Sequence, residues 1–164
     1  KNAIVGNVAL YGSTSGQVFI NGMAGQRFAV RNSGATAIVE GIGANGCEYM
    51  TGGKVVILGS IGKNFAAGMS GGIAYIYDTG ESQQNINKSL IHIETPQQEE
   101  IDDIYSIISS HYTLTSSALA EQILQDWDKV ARQFIKVIPA DYKKALAKTK
   151  TILPPKPTVQ PANL

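Results

Sequence analysis

A chain of 164 residues fits one domain, or one domain with an appendage, and is long enough to bury a true core. Its 14 basic and 13 acidic residues leave a net charge of +1, which argues against nucleic-acid or anionic-membrane partners. The longest apolar runs, such as Ile73 to Tyr77, fall far short of the roughly 20 residues that cross a bilayer, and the lone Cys47 supplies neither an intrachain disulfide nor a zinc or iron–sulfur ligand set. A soluble protein of the reducing cytoplasm is expected. Lys1 opens the chain in place of Met, so a processed product or a piece of something longer is also expected.

All 17 glycines lie between Gly6 and Gly80, whereas 19 of the 27 charged residues follow position 80. Residues 1–94 therefore form one unit. Its short apolar runs, Val8-Ala9-Leu10, Val18-Phe19-Ile20, Phe28-Ala29-Val30, Ala37-Ile38-Val39, Val55-Val56-Ile57-Leu58 and Ile73-Ala74-Tyr75-Ile76-Tyr77, read as strands divided by Gly-rich turns. Residues 95–150 read as a helical extension. Thr95 supplies an N-cap oxygen, Pro96 the first helical position and Gln98 the third, and Ile101, Ile104, Tyr105, Ile108 and Tyr112 make one apolar stripe. Ser116 or Ser117 caps a second helix with a stripe of Leu119, Ile123, Trp127, Val130 and Phe134, ended by Pro139. A short helical turn is expected over 140–147. Residues 151–164 are too proline-rich for helix or central strand and read as an extended tail.

Shifted by 19 residues, the strand region falls on itself. Ile42/Ile61, Gly43/Gly62, Asn45/Asn64, Met50/Met69, Gly52/Gly71, Gly53/Gly72 and Ile57/Ile76 are identities. Phe19, Ile38, Ile57 and Ile76 make one expected ladder, Ile20, Val39, Leu58 and Tyr77 a second, and Gly34, Gly53 and Gly72 a third. A small polar rung runs through Ser13, Asn32, Thr51 and Ser70. A fixed period of this size marks a solenoid whose coils stack like on like, here a right-handed parallel β-helix. The fold class is accordingly mainly β, followed by C-terminal helices. Glycines are expected at each corner because positive φ costs other residues roughly 1 to 2 kcal/mol.

Three stretches imitate catalytic or ligand motifs. Gly41-Ile42-Gly43-Ala44-Asn45-Gly46 spells G-x-G-x-x-G, but no helix and no acid about 20 residues on follow it, so a coil corner explains it. Gly68-Met69-Ser70-Gly71-Gly72 matches a nucleophile elbow with His92 or His111 as base, yet a strand follows Ser70 where the elbow needs a helix. Cys47 has Ala9, Phe28 and Ala66 as expected ladder partners and reads as a buried core residue. Neither histidine has acidic partners at ligand spacing, so each reads as a surface or packing residue. Arg27, Arg31, Glu40 and Glu48 are the only charges from position 2 to 53, and any that point inward are expected to pair. Glu99, Glu100, Asp102 and Asp103 suit the start of a helix, where the macrodipole favours them. No catalytic, cofactor-binding or metal-binding residue is assigned.

The stretches RFAVRNSGA, CEYMTGG and GKNFAAGMSGG, within the run from Asn7 to Asp78, closely resemble the Gly-x-Gly-x-Gly β-helix domain at the C-terminus of the glutamate synthase large subunit. LAEQILQDWDKVARQFIKVIPADYKKAL is similar to the closing helices of that family, so the resemblance runs nearly end to end. It implies a structural scaffold domain of an enzyme of ammonia assimilation, which moves the glutamine amide nitrogen reductively onto 2-oxoglutarate to make glutamate. It also implies partners in the amidotransferase and FMN-binding domains, with FMN and an iron–sulfur cluster held by the parent and no cofactor in this segment. Lys1 is not the family's N-terminal nucleophilic cysteine, and Cys47 alone cannot hold a three-iron cluster. Two alternatives stay open: a standalone β-helical interaction subunit of the formylmethanofuran dehydrogenase type, and a solenoid enzyme acting on sugars or acyl groups.

Overall fold

The computed structural model describes residues 3–152, so the expected tail lies, past Ile152, outside the described residues. Five strands, β1 (Ala3–Val5), β2 (Gln17–Ala24), β3 (Ser33–Ile42), β4 (Thr51–Ile57) and β5 (Gly71–Tyr77), pair in parallel in chain order. They form a β-solenoid of about 4 turns, followed by helices. Alternation along each strand sends Ala37, Val39, Val55, Ile57, Ala74 and Ile76 into the coil interior and Ile38, Val56 and Tyr75 to the outer face. Both faces are buried, which is why the strands read as continuous apolar runs.

The two apolar ladders slip once, between β3 and β4, and the polar rung shifts as well, since Thr51 lies opposite Gly71 and not Ser70. Phe19 pairs with Ile38 and Ile57 with Ile76, but Ile38 lies opposite Val56 and Val39 opposite Ile57. The expected ladders therefore break at their middle rung. Ser33 pairs with Gly52 but Thr36 with Lys54, so the second coil carries one more residue at its bend, and a bulge absorbs it.

Two expected strands are something else. Val8-Ala9-Leu10 and Phe28-Ala29-Val30 lie in turn segments that close each coil, where left-handed residues recur at every second position. The sets are Val8, Leu10 and Gly12; Arg27, Ala29 and Arg31; Asn45, Cys47 and Tyr49; and Asn64, Ala66 and Gly68. Ten of these residues are not glycine, against the expectation, and left-handed backbone costs each about 1–2 kcal/mol. Inter-coil hydrogen bonds hold them there. The Arg27 N–H donates to Ala44 O, Ala29 to Ala9 O and Arg31 to Glu48 O, each at 2.9 Å, reaching alternately to the following and preceding coil.

The recurring glycines of the repeat serve mainly close approach. A Cβ on Gly62 would lie 2.3 Å from Ala44 N, and one on Gly43 2.9 Å from Gln26 N. Gly25, Gly43 and Gly62 thus form a column in which backbone rests on backbone.

The extension differs from its sequence reading. Helix α1 (Gln98–Thr115) starts two residues after Pro96, with Gln97 as N-cap, and Glu100 Oε2 accepts the Gln97 N–H at 2.9 Å. Helix α2 (Ala118–Gln125) is capped by Ser117, whose side chain accepts from Ala120 N, and a single short turn, α3 (Trp127–Val130), follows. Phe134 is not helical. Strand β7 (Phe134–Pro139) pairs antiparallel with β5, and β6 (Ile91–Glu94) pairs antiparallel with β7. The order is β1-β2-β3-β4-β5-β7-β6, so the last coil's edge is covered by a returning strand and β1 is left as an edge. Helix α4 (Ala140–Ile152) outruns the turn expected at 140–147. Ile101, Ile104 and Ile108 of α1 and Ile123 of α2 pack with Phe134 on the outer sheet face.

Gly62→Ala should cost roughly 3 kcal/mol and lower Tm by about 10 °C. Gly6→Ala, where a Cβ meets nothing within 4 Å, should change Tm far less. Equal melting temperatures by calorimetry would contradict the backbone column.

Candidate functional site

The G-x-G-x-x-G stretch offers no phosphate cradle. Its amides are already engaged: Ile42 N–H donates to Ser60 O at 2.9 Å, Gly43 N–H to Ala24 O and Gly25 O at 3.1 Å each, and Asn45 N–H to Lys63 O at 2.9 Å. Gly46 admits the Ile42 and Phe65 side chains, where a Cβ would lie 2.3 Å from Ile42 Cδ1.

Ser70 is exposed, and its N–H donates to Met50 O at 2.9 Å as β5 begins directly after it. A cleft of about 290 Å³ beside it is lined by Leu90, Pro139 and Asp141 and contains no histidine. His92 is exposed on β6. His111 is fully buried near the end of α1, stacked on Phe19 with ring centroids 6.3 Å apart, and its Nε2 has no hydrogen-bond partner among the described residues. Serine and histidines are not brought together. Cys47 is enclosed, its N–H donates to Phe28 O at 2.8 Å, and burial pushes its thiol far above the ordinary range. Such a thiol is a packing group, not a nucleophile.

Polar side chains outside these motifs fix bends and fasten helices to the sheet. Asn32 is fully buried, and its side-chain amide accepts from Ala35 N at 2.9 Å and donates to Ala35 O at 2.9 Å, which fixes one bend. Glu40 does not ion-pair as expected. Ser117 Oγ donates to it while also capping α2, tying that helix to the end of β3. Arg27 and Arg31 point outward, and Glu48 is held by Asn45 Nδ2 at 2.7 Å and Asn64 Nδ2 at 3.3 Å.

A second knot lies under α1. Glu100 Oε1 accepts from Tyr75 Oη at 2.8 Å and pairs with Lys136 Nζ at 2.7 Å, and Lys54 pairs with Asp103 nearby. Burial alone would raise the Glu100 carboxyl, but Lys136, the Gln97 N–H and Tyr75 together hold it below the ordinary range. Burial first, then the Glu100 hydrogen bond and the charges of Glu100 and Asp103, push the Tyr75 hydroxyl well up. The signal in sequence was faint: Tyr75 and Lys136 each interrupt an otherwise apolar strand. These groups clamp helix to sheet, and no three metal-ligating side chains converge among the described residues.

A family model for the GXGXG motif matches residues 1–140. The chain belongs to the GXGXG family. It is 53% identical over 149 residues to the NADPH glutamate synthase large chain of Bacillus subtilis (strain 168), covering 89% of this chain and 10% of that one. Against the NADH glutamate synthase of Schizosaccharomyces pombe it is 52% identical over 148 residues, 89% of this chain and 7% of the relative. Against the chloroplastic ferredoxin-dependent glutamate synthase of Spinacia oleracea it is 48% identical over 139 residues, 83% and 8% respectively. The chain thus spans a tenth or less of these relatives, and the resemblance read from CEYMTGG and GKNFAAGMSGG stands. No helix among the described residues is long and apolar enough to cross a membrane.

Two outcomes follow for this GXGXG solenoid. Burial holds His111 below its ordinary value of 6.5, against the opposing pull of Glu40. The unfolded chain takes up that proton where the folded one resists, so this contribution is complete above about pH 6.5 and shrinks as pH falls below it. His111→Gln should flatten the fall of Tm between pH 7 and 5; an unchanged slope would exclude His111 as its source. Cys47 should react with iodoacetamide only as the coil opens, at least roughly a hundredfold slower than in denaturant; fast labelling of the native protein would show an accessible thiol.

Proposed function

We propose that this chain is a non-catalytic scaffold domain of a glutamate synthase, the enzyme that moves the glutamine amide nitrogen reductively onto 2-oxoglutarate. The observation that carries the reading is near 50% identity to glutamate synthase large chains along almost the whole chain and a tenth or less of theirs. The fate of the reactive residues supports it: Cys47 and His111 pack in cores, no histidine among the described residues lines the cleft beside Ser70, and the glycine-loop amides bond to neighbouring coils. The amidotransferase and FMN-binding parts of the longer polypeptide are its partners in this reading, in the cytoplasm. FMN and the iron–sulfur cluster belong to those parts. A single enclosed cysteine does not fit a thiolate-held cluster.

The isolated chain, supplied with glutamine, 2-oxoglutarate, reductant and FMN, should form no glutamate above background. In a full-length glutamate synthase carrying this domain, Ser70→Ala should leave kcat within about twofold, because no transition-state contact is removed. Glutamate formed by the isolated chain, or a folded Ser70→Ala enzyme that has lost turnover, would overturn the scaffold reading.

A further inference from the structure

Two sides of the solenoid differ in what covers them. The outer strand face is blanketed by α1, α2 and α3, whereas the left-handed segments that close each coil face outward uncovered. Within each of those segments the middle residue turns in and the flanking two turn out: Ala29 and Cys47 are fully buried, while Arg27, Arg31 and Tyr49 are exposed.

This bare face is chemically distinctive. Arg27, Arg31 and Lys63 are exposed, and among the described residues none has a carboxylate within ion-pair distance. The one acid among them, Glu48, is occupied by Asn45 and Asn64. Tyr49 is 56% exposed and Tyr11 55%. A Cβ on Gly68 would fall 2.5 Å from the Tyr49 ring, so the bare glycine lets that ring lie flat on the coil with its other side outward. The Arg31 N–H bonds to Glu48 O, which sets Arg31 beside Tyr49 on the adjoining coil. Exposed tyrosine and arginine side by side, held on rigid backbone, have the composition of a protein interface core.

We propose that this face docks an acidic segment of the longer glutamate synthase polypeptide. The proposal rests on the scaffold reading and deepens it by naming the surface and the partner's chemistry. Relatives of which this chain covers 7–10% have nine tenths or more of their length outside the matching segment, and that remainder is where the partner is sought. Unpaired guanidinium groups supply a planar, bidentate match for carboxylates, and Tyr11 and Tyr49 supply the apolar area around them. The near-neutral net charge conceals this: Arg27, Arg31 and Lys63 share the face with a single acid, Glu48.

The test uses the full-length enzyme. Arg27→Lys with Arg31→Lys keeps the charge and adds amines that a carbodiimide couples to touching carboxylates. Zero-length crosslinks from positions 27, 31 or 63 to Asp or Glu outside residues 1–164 are expected, and Arg27→Glu with Arg31→Glu should abolish those from Lys63. The Lys54–Asp103 and Lys136–Glu100 pairs serve as internal controls. Control crosslinks without any from the face, or nucleic acid recovered there in place of protein, would overturn the docking surface. Turnover by the isolated chain would instead remove the scaffold reading and leave the crosslinks unaffected, so the two failures are distinguishable.

Discussion

Everything in this molecule depends on the contact of backbone with backbone between successive coils. Strand N–H groups and the N–H groups of the left-handed corners alike donate to carbonyls of the neighbouring coil, at the roughly 4.8 Å spacing that parallel pairing imposes. Where two coils come closest there is no room for a Cβ, and the column Gly25, Gly43 and Gly62 marks the place. A glycine-rich sequence is therefore consistent with a stiff structure. Entropy lost at each glycine is offset by bonds that only a close stack can make.

That constraint explains why apparent chemistry dissolves on inspection of the fold. A phosphate loop needs free amides, and here the amides of Ile42, Gly43 and Asn45 are what join coils. A reactive cysteine needs polar surroundings, and Cys47 sits at the inward position of a corner, between coils whose equivalent residues are apolar. Polar side chains that do bond specifically, Asn32, Glu40 with Ser117, and Glu100 with Tyr75 and Lys136, fix bends or fasten helices to the sheet. They are structural devices, since each satisfies a buried group that would otherwise be costly.

Because a solenoid stacks indefinitely, its ends and its uncovered side decide how it joins other things. One end is closed by β7 returning antiparallel over β5, with β6 beyond it. The strand face is closed by helices whose isoleucines bury against Ile38, Val56 and Tyr75. What remains among the described residues is the corner face with its tyrosines and arginines. A scaffold within a much longer polypeptide is consistent with such a distribution of covered and open surface.

The sequence by itself determined the solenoid, its period near 19, the helices after it and the family, because a repeat prints the same steric demand several times. Tertiary structure decided the rest. Period-two alternation is shared by a strand and by a corner whose every second residue is left-handed, so Val8-Ala9-Leu10 and Phe28-Ala29-Val30 could not be told from strands. A one-residue bulge moved Ile38 from Ile57 to Val56, since identity at Gly52-Gly53 and Gly71-Gly72 says nothing of the longer bend at Ser33 to Thr36. Phe134 fits a helical stripe and a strand equally well, and the open edge of β5 settled it as strand. Local pattern fixes what a segment is able to be; pairing with residues far along the chain fixes which of those it becomes.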